Sequence, residues 1–343
     1  MMRECEPKPA MIPPQQNVPR MKAVVYEKYG PPEVLHVKAV GKPAHRANEI
    51  LIRVRAAEAT KGDCEMRSFR FPVKWFVLPM RLLLGIRQPR NPVLGMYFAG
   101  EVEAVGPAVS KFKPGDRVFG STQLKLGTYG EYVCLPEHGR LTAMPNNLSF
   151  AEAAAVPLGG LNALHFMRKA RLQPGETVLV NGAGGSIGLY AVQIAKTLGA
   201  SVTAVDAAHK EELLRGIGAD HFIDYAKTDY TKNGRTYDVI FNMVARHSFA
   251  GSIRSLKPKG RYLLGNPRLS DLFRSVLTSL TTDKSVTVAF AQEKVEELTA
   301  LKELIEAGKI RPVVDRVYPM EQAAAAHRRV ESEQRIGMIV ISG

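Results

Sequence analysis

A glycine-rich turn between an apolar run and a helical pattern constrains the fold of this chain more than any other feature. Residues 177–180 (Thr-Val-Leu-Val) have the composition of a buried strand, and small or apolar side chains recur at helical spacing from Leu189 to Leu198. Glycines stand between them at positions 182, 184, 185 and 188. Backbone N–H groups at the start of such a helix hold an anion, and glycines allow a pyrophosphate to come close.

We therefore predict that this turn binds the pyrophosphate of a dinucleotide. The spacing G-x-x-G-x-x-G differs from the usual G-x-G-x-x-G, so a tight strand–helix turn in another α/β protein is the alternative. The strand before the turn, the helix after it and a second strand that ends in an acid favour the dinucleotide. The residues of the turn are Gly182, Ala183, Gly184, Gly185, Ser186, Ile187 and Gly188.

The pattern of elements differs between the two halves of the chain. From Met21 to about Arg140, short strands alternate with glycine and proline turns, which predicts a small barrel-like domain. From about Leu141, strands alternate with helices, which predicts a doubly wound parallel sheet, and residues 267–284 are expected to form a long connection. Residues 1–20 contain five prolines without an apolar period, so we expect a disordered tail.

Composition narrows the environment and the partners. The net charge is +14, but the basic residues are spread along the chain without a recognisable nucleic-acid module, so we interpret them as a solvated surface and expect no nucleic-acid partner. The cysteines Cys5, Cys64 and Cys134 are scattered, which excludes a C-x-x-C metal site and favours a reducing, cytoplasmic location. No apolar run approaches the ~20 residues of a membrane span.

One apolar insertion, residues 69–90, contains the only tryptophan, Trp75, between arginines and lysine. It is interpreted as a pair of helices that packs over a substrate cleft. The alternative is a weak contact with a membrane surface, in which basic side chains face the headgroups and the protein is peripheral to the membrane.

Several short segments, in their order along the chain, resemble the medium-chain dehydrogenase/reductase family and, within it, the zinc-less quinone oxidoreductase branch. Together they span Met21 to Gly343. They are residues 21–26 (MKAVVY), 95–102 (GMYFAGEV), 113–118 (KPGDRV), 127–132 (GTYGEY), 159–164 (GGLNAL), the glycine turn and 304–309 (LIEAGK).

The resemblance implies an α/β fold with two domains. A GroES-like, β-rich catalytic domain would comprise residues 21–140 and 292–343, and a Rossmann domain with a doubly wound parallel sheet would comprise residues 141–291. The nicotinamide would lie between the domains, at the carboxyl ends of the parallel strands. Relatives commonly form homodimers through the last Rossmann strand, which here is residues 286–290.

The resemblance also argues against zinc. Zinc-dependent relatives carry a cysteine three residues before the motif aspartate and a His-Glu pair after a glycine. Here Thr60 lies three residues before Asp63, and Met96-Tyr97 follow Gly95. Because catalytic zinc ordinarily needs three protein ligands, we expect no metal.

Further site residues follow from the family positions. Thr60, Asp63 and Tyr97 would line the substrate cleft, and Asn162, in a turn after Gly160, would approach the nicotinamide ribose or phosphate. Two loops would flank the nicotinamide: Asn242, Met243 and Val244 in one, Gly265 and Asn266 in the other. Relatives usually have Gly-Lys where this chain has Gly337-Met338, which removes a possible cationic contact.

The second Rossmann strand bears on the choice of NAD(P)H. Asp206 ends that strand at the separation expected of an acid that binds the ribose 2′-hydroxyl, so NADH is favoured over NADPH. Lys210 follows and could still hold a 2′-phosphate. Without a metal, the easier reaction is hydride transfer to a small lipophilic electrophile, a quinone or an α,β-unsaturated carbonyl. The alternatives are an alcohol dehydrogenase of the same fold and a non-enzymatic, membrane-associated redox sensor that binds a dinucleotide.

Overall fold

The computed structural model describes residues 19–71, 77–289 and 293–343. Most of the predicted tail, Trp75 and Phe290 lie outside the described residues. The first strand begins at Arg20, one residue before the predicted start of the fold. Within the described ranges, every helix is too short or too polar to cross a bilayer.

A β-rich part is formed by both ends of the described chain. Its elements are β1 (Arg20–Val25), β2 (His36–Gly41), β3 (Glu49–Ala59), α1 (Lys61–Ser68), α2 (Val77–Leu84), β4 (Tyr97–Val105), β5 (Arg117–Ser121), β6 (Tyr132–Pro136), β7 (Arg140–Ala143), β14 (Val314–Pro319), α10 (Ala323–Glu331) and β15 (Met338–Ser342). In the described residues the main sheet has the strand order β14-β15-β3-β4-β5-β7, with β6 paired to β3 and a separate β1–β2 pair.

A parallel sheet with helices on both faces forms the middle of the chain. Its elements are α3 (Phe150–Ala154), α4 (Pro157–Ala170), β8 (Thr177–Asn181), α5 (Ser186–Thr197), β9 (Ser201–Asp206), α6 (Glu211–Gly216), β10 (His221–Asp224), β11 (Tyr237–Asn242), α7 (Phe249–Arg254), β12 (Leu256–Leu264), α8 (Leu269–Thr281) and β13 (Ser285–Val288), and α9 (Val295–Glu306) follows in the chain. The described strands run in the order β10-β9-β8-β11-β12-β13, and all of their pairings are parallel.

The central strand β8 shows why the sheet is covered on both faces. Val178 and Val180 pack into one apolar cluster, whereas Leu179 between them packs into another. All three side chains are fully buried. Alternate residues of a strand point to opposite faces, so a continuous apolar run is the pattern expected of a parallel strand with helices on each side.

The last strand returns to the first sheet. β15 pairs antiparallel with β3, with Ile341 opposite Ala57, and β14 continues the sheet beyond β15. The β-rich part is therefore assembled from segments that flank the parallel sheet in the sequence. The exact division at residues 140 and 292 stays a prediction.

One local prediction was wrong. Residues 159–164 were expected to contain a turn, but they lie inside α4, because Pro157 at its first position favours helix initiation and the glycines allow close packing. The predicted long connection 267–284 lies between β12 and β13 and contains the helix α8. Ser149 and Glu152 form a capping box at the start of α3.

Candidate functional site

The glycine turn lies at the carboxyl end of β8, where α5 begins. Gly182 has a φ of 85°, a conformation that favours glycine. A Cβ atom on Gly188 would lie 2.3 Å from the Gly182 carbonyl oxygen and 2.6 Å from Ala183 Cα. Because both contacts are with backbone, Gly188 permits α5 to pack closely on the turn.

The N-terminus of α5 is suited to an anion. Gly185 is its N-cap residue and has no side chain with which to cap the helix. The first N–H groups of a helix lack intrahelical partners, and here they belong to Ser186, Ile187 and Gly188. The helix dipole adds partial positive charge at the same point. These features fit the pyrophosphate of a dinucleotide.

Asp206 stands beside this turn at the end of β9. One of its carboxylate oxygens accepts a hydrogen bond from the Gly184 N–H at 2.7 Å. The other accepts from the Ala207 N–H at 2.9 Å and lies 3.1 Å from Lys210 Nζ. Asp206 and Lys210 are both buried, so the acid and the cation reach the turn as a pair.

The two loops on the other side of the turn bind each other. Asn242 is fully buried, and its Oδ1 accepts from Asn181 Nδ2 at 2.7 Å. Asn266 Nδ2 donates to the Met243 carbonyl oxygen at 2.7 Å, and a Cβ on Gly265 would lie 2.4 Å from Met243 Sδ. Val244 and Met243 are partly exposed, so they are the residues of this loop that can contact a cofactor. Asn242 holds the loop in place.

Asn162 lies in the second turn of α4. Its Nδ2 donates to the Leu158 carbonyl oxygen at 2.9 Å, a bond within the helix. The neighbouring Gly159 is close to the glycine turn, since a Cβ there would lie 2.4 Å from the Ser186 carbonyl oxygen. The helix therefore brings this region close to the predicted cofactor site, while the Asn162 amide is bound internally.

Thr60 and Asp63 form a capping box at the start of α1. The Asp63 N–H donates to Thr60 Oγ1 at 3.0 Å, and the Thr60 hydroxyl donates to Asp63 Oδ2 at 2.6 Å. The Gly95 N–H donates to Asp63 Oδ1 at 3.2 Å. Burial raises the pKa of Asp63 to about 6, although these hydrogen bonds oppose the shift. Asp63 thus holds two loops together from a fully buried position.

A buried network of hydrogen-bonded side chains lies between α1 and the surface. The Arg67 guanidinium donates to His327 Nδ1 at 3.2 Å, so the neutral ring carries its proton on Nε2 and donates to the Tyr129 hydroxyl at 3.1 Å. Burial and the nearby arginine lower the pKa of His327 to about 3. Arg67 Nη2 also donates to Glu331 Oε1, and the Glu331 side chain is 39% exposed. This hydrogen-bond network joins α1 to α10.

Tyr97 is the first residue of β4 and is almost fully buried. Its hydroxyl donates to Glu293 Oε1 at 2.9 Å. Burial, together with the carboxylates of Glu293, Glu58 and Asp63, raises the pKa of Tyr97 well above its ordinary value. Tyr97 therefore stays protonated in the neutral range, and its proton points to Glu293.

Glu58 and Arg335 approach the glycine turn from the β-rich part. The Ser186 hydroxyl donates to Glu58 Oε1 at 3.0 Å and accepts from Arg335 Nη1 at 3.2 Å. Glu58 is fully buried, and its Oε2 has no hydrogen-bond partner in the described residues. Burial raises the pKa of Glu58 to about 8, whereas Arg335 and Ser186 act to lower it.

Known proteins of one family match this chain over most of its length. The alcohol dehydrogenase GroES-like domain matches residues 46–146, and the zinc-binding dehydrogenase family matches residues 217–341. The quinone oxidoreductase of Sus scrofa is 30% identical over 90% of this chain and 94% of that protein. The chain belongs to the medium-chain dehydrogenase/reductase family.

Two further relatives support the quinone oxidoreductase branch of this family. The chloroplastic NADPH-dependent alkenal/one oxidoreductase of Arabidopsis thaliana is 31% identical over 95% of this chain and 80% of that protein. The solved quinone oxidoreductase structure from Coxiella burnetii is 27% identical, covers 95% of this chain and 100% of that chain, and has a TM-score of 0.83. The predicted family, fold class and oxidoreductase activity are confirmed.

Other side chains stand at the positions where zinc-dependent members of the family carry their ligands. Thr60 uses its hydroxyl in the capping box, and Met96 has a thioether rather than an imidazole. The Cys64 thiol lies 3.8 Å from the His327 carbonyl oxygen, and burial raises its pKa above the ordinary range. In residues 19–71, 77–289 and 293–343, no group of three or more His, Cys, Asp or Glu side chains is arranged to hold a metal.

The sequence did not identify Glu58, Arg335, Glu293 or His327 as site residues. One signal was available for Glu58, because it is a lone acid among Ala56, Ala57 and Ala59 in a strand that is otherwise buried there. An acid at such a position needs a partner or a raised pKa. The partners of Glu58 lie far along the chain, so spacing alone could not supply them.

Proposed function

We propose that this protein uses NAD(P)H to reduce small lipophilic electrophiles, namely quinones or α,β-unsaturated carbonyl compounds. The observation that carries the proposal is the uncapped start of α5 at the glycine turn, in a chain similar over nearly its whole length to quinone and alkenal/one oxidoreductases. Residues 182–188 hold the pyrophosphate, and Met243, Val244 and Gly265 flank the nicotinamide.

When bound, the nicotinamide supplies the hydride. The protein binds and orients the two reactants and excludes water. Thr60 and Tyr97 line the substrate side of the site, and Asp63 fixes the loop that carries Thr60 through its bonds to Thr60 and Gly95. The Tyr97 hydroxyl can bind a substrate oxygen when it turns away from Glu293.

We propose that no zinc takes part. The positions that carry cysteine and histidine in zinc-dependent relatives hold Thr60 and Met96, and neither side chain is an ordinary zinc ligand. Activity should therefore persist after dialysis against a chelator. Loss of turnover on chelation and its recovery with Zn²⁺ would favour a zinc-dependent alcohol dehydrogenase instead.

We propose that NADH is preferred over NADPH. The Asp206 carboxylate is fixed by the Gly184 N–H at the edge of the turn, where it can accept a bond from a ribose 2′-hydroxyl and would repel a 2′-phosphate. Lys210 reduces this repulsion because it pairs with Asp206. Asp206→Ala leaves the lysine without its acid, so it should shift the preference toward NADPH, by about tenfold for about 1.4 kcal/mol.

One experiment tests function and cofactor choice together. Fluorescence titration would measure the binding of NADH and NADPH, and kcat/KM would be measured with each cofactor on a benzoquinone, an enone and an aldehyde. The expected result is turnover of a quinone or an enone, faster with NADH. Tight binding without any turnover would favour a dinucleotide-binding sensor, and strong NADPH preference in the parent protein would contradict the assignment of Asp206.

We propose a homodimer formed along the edge strand β13. Ser285–Val288 pairs with β12 on one side and is the last strand of the parallel sheet in the described residues. The adjacent helix α8 turns a row of large apolar side chains to solvent: Leu269, Phe273, Val276, Leu277 and Leu280. An exposed apolar patch beside the edge strand of a sheet is typical of an interface between protein chains.

We also propose a weak contact of residues 69–90 with a membrane surface. In the described part of this segment, Leu78, Leu82 and Ile86 are each more than half exposed. Residues 66–100 contain arginines and a lysine without any acid, which suits anionic headgroups. Co-sedimentation with anionic liposomes, with Leu78→Ser and Leu82→Ser together as the matched variant, tests it. If neither the parent protein nor the variant binds the liposomes, the proposed membrane contact is contradicted.

A further inference from the structure

The Ser186 side chain joins two charged groups that come from distant parts of the chain. Ser186 is the first residue of α5, where the pyrophosphate is proposed to bind. Its hydroxyl donates to Glu58 of β3 and accepts from Arg335, which lies between α10 and β15. Glu58 is fully buried and Arg335 is nearly so. A cation and an acid from the β-rich part thus meet at the anion-binding end of the helix.

The Arg335 guanidinium has donors to spare. Nη1 bonds Ser186 Oγ and, at 3.3 Å, the Gly337 carbonyl oxygen. Its other two nitrogens have no hydrogen-bond acceptor among the described residues. A guanidinium with free N–H groups beside uncapped helical N–H groups suits an oxyanion with several oxygens. Met338, where relatives usually carry lysine, leaves this cationic role open.

The Glu58 carboxyl group would interfere with the same anion if it were ionised. Its Oε2 is buried without a partner, which is costly for a carboxylate but tolerable for a neutral acid. A bound pyrophosphate would add negative charge on the other side of Ser186 and would compete for Arg335. Both effects favour the protonated acid.

We infer that Arg335 is the cationic contact for the cofactor pyrophosphate and that Glu58 is protonated in the complex, so that the dinucleotide binds together with a proton above neutral pH. This inference rests on the proposed function, because it concerns the same cofactor. Glu58 is a positioning residue, since it acts through Ser186 and Arg335.

The groups around Glu58 are consistent with this proton uptake. Burial, the largest influence, raises the pKa of Glu58 to about 8; Arg335 and Ser186 lower it, and Asp63 of α1 raises it. The other titratable groups that face it are tyrosines: Tyr97 of β4, Tyr129 before β6 and Tyr190 of α5. Burial and nearby acids raise the pKa of each tyrosine well above its ordinary value, so these hydroxyls stay neutral over the same range.

The sign of the effect follows from these charges. Below about pH 7 the acid is neutral with or without cofactor, so the affinity does not depend on its titration. Above about pH 8 the free protein has lost the proton and must recover it on binding, so the Kd rises by up to about tenfold per pH unit. The rise ends where the complex itself loses the proton.

Calorimetric titration with NADH from pH 6.5 to 9.5 tests the inference. At pH 8.5, the measured enthalpy in buffers of different ionisation enthalpy should show net proton uptake by the unmodified protein. Glu58→Gln, which keeps shape and hydrogen bonding without a charge, should abolish the uptake and flatten the dependence of Kd on pH. Arg335→Gln should weaken binding at least about tenfold at all pH values, and Arg335→Lys should recover part of it.

The outcomes separate the inference from the proposed function. Absence of NADH binding to the unmodified protein at pH 6.5 would contradict the cofactor site itself. Binding without proton uptake at pH 8.5, or the same pH dependence in Glu58→Gln, would overturn the role of Glu58. Unchanged affinity in a folded Arg335→Gln protein would overturn the role of Arg335. The proton measurement needs no substitution, so it decides even where a variant fails to fold.

Discussion

At the scale of single residues, Gly188 limits the size of the side chain that the glycine turn can hold. In Gly188→Ala the new Cβ would meet the Gly182 carbonyl oxygen and the Ala183 backbone at 2.3–2.6 Å, so the turn must move. We expect a loss of about 1–3 kcal/mol in the free energy of unfolding, as for other overpacked sites. NADH affinity should fall as well, because the displaced N–H groups no longer converge. Chemical denaturation and NADH titration measure the two effects.

Gly216 provides the matched control. It ends α6, and a Cβ there meets nothing within 4 Å. Gly216→Ala should therefore be neutral or slightly stabilising, by up to about 1 kcal/mol. Equal stability and NADH affinity in Gly188→Ala and Gly216→Ala would contradict the packing role of Gly188.

Whether a site residue could be predicted from the sequence depends on how close its partners lie along the chain. The glycine turn and Asp206 were found because their requirements are local: a strand, a turn and a helix follow one another within 30 residues. Glu58 and Arg335 meet at Ser186 from 128 and 149 residues away. Their pairing depends on the return of β15 to β3, which the pattern of any one segment does not contain. A lone acid in a buried strand was the only local signal.

At the scale of elements, α8 is oriented against the usual rule for amphipathic helices. Asp271 is buried and Ser275 and Thr278 are half-buried, whereas Phe273 and Leu277 are 75% and 61% exposed. A helix on an isolated subunit normally turns its apolar face inward. The spacing of the apolar residues could have predicted the helix, but the spacing alone does not say which face of the helix is turned to solvent.

The proposed dimer gives this orientation a measurable consequence. Replacing Phe273 and Leu277 with serine should leave the subunit folded, because both side chains already face solvent, and should shift the protein from dimer to monomer. Analytical ultracentrifugation measures the shift, with Ser279→Ala on the flank of the same helix as control. A monomeric parent protein, or a dimer of unchanged stability in the double variant, would count against this interface.

At the scale of the whole molecule, two buried titratable groups act on stability in opposite pH ranges. His327 has a pKa of about 3 in the fold against about 6.5 when unfolded, so the unfolded state binds more protons in that window and stability falls as the pH drops through it. Glu58 has a pKa of about 8 in the fold against about 4.3 when unfolded. The folded state therefore binds more protons between these values, and stability falls as the pH rises.

Between pH 7 and 8 the effect of Glu58 should be separable from the others. The pKa of Asp63 is raised to about 6 and that of Glu65 to about 7, both by burial, so at pH 7 Asp63 is largely ionised and Glu65 is half ionised, and Glu65 adds a smaller loss of stability than Glu58 up to pH 8. The unliganded protein should lose up to about 1.4 kcal/mol of stability per pH unit in this window. Glu58→Gln should remove most of that loss, because the amide does not titrate. Urea denaturation at pH 7.0 and 8.0 measures both proteins, and equal loss in the two would show that another group carries the titration.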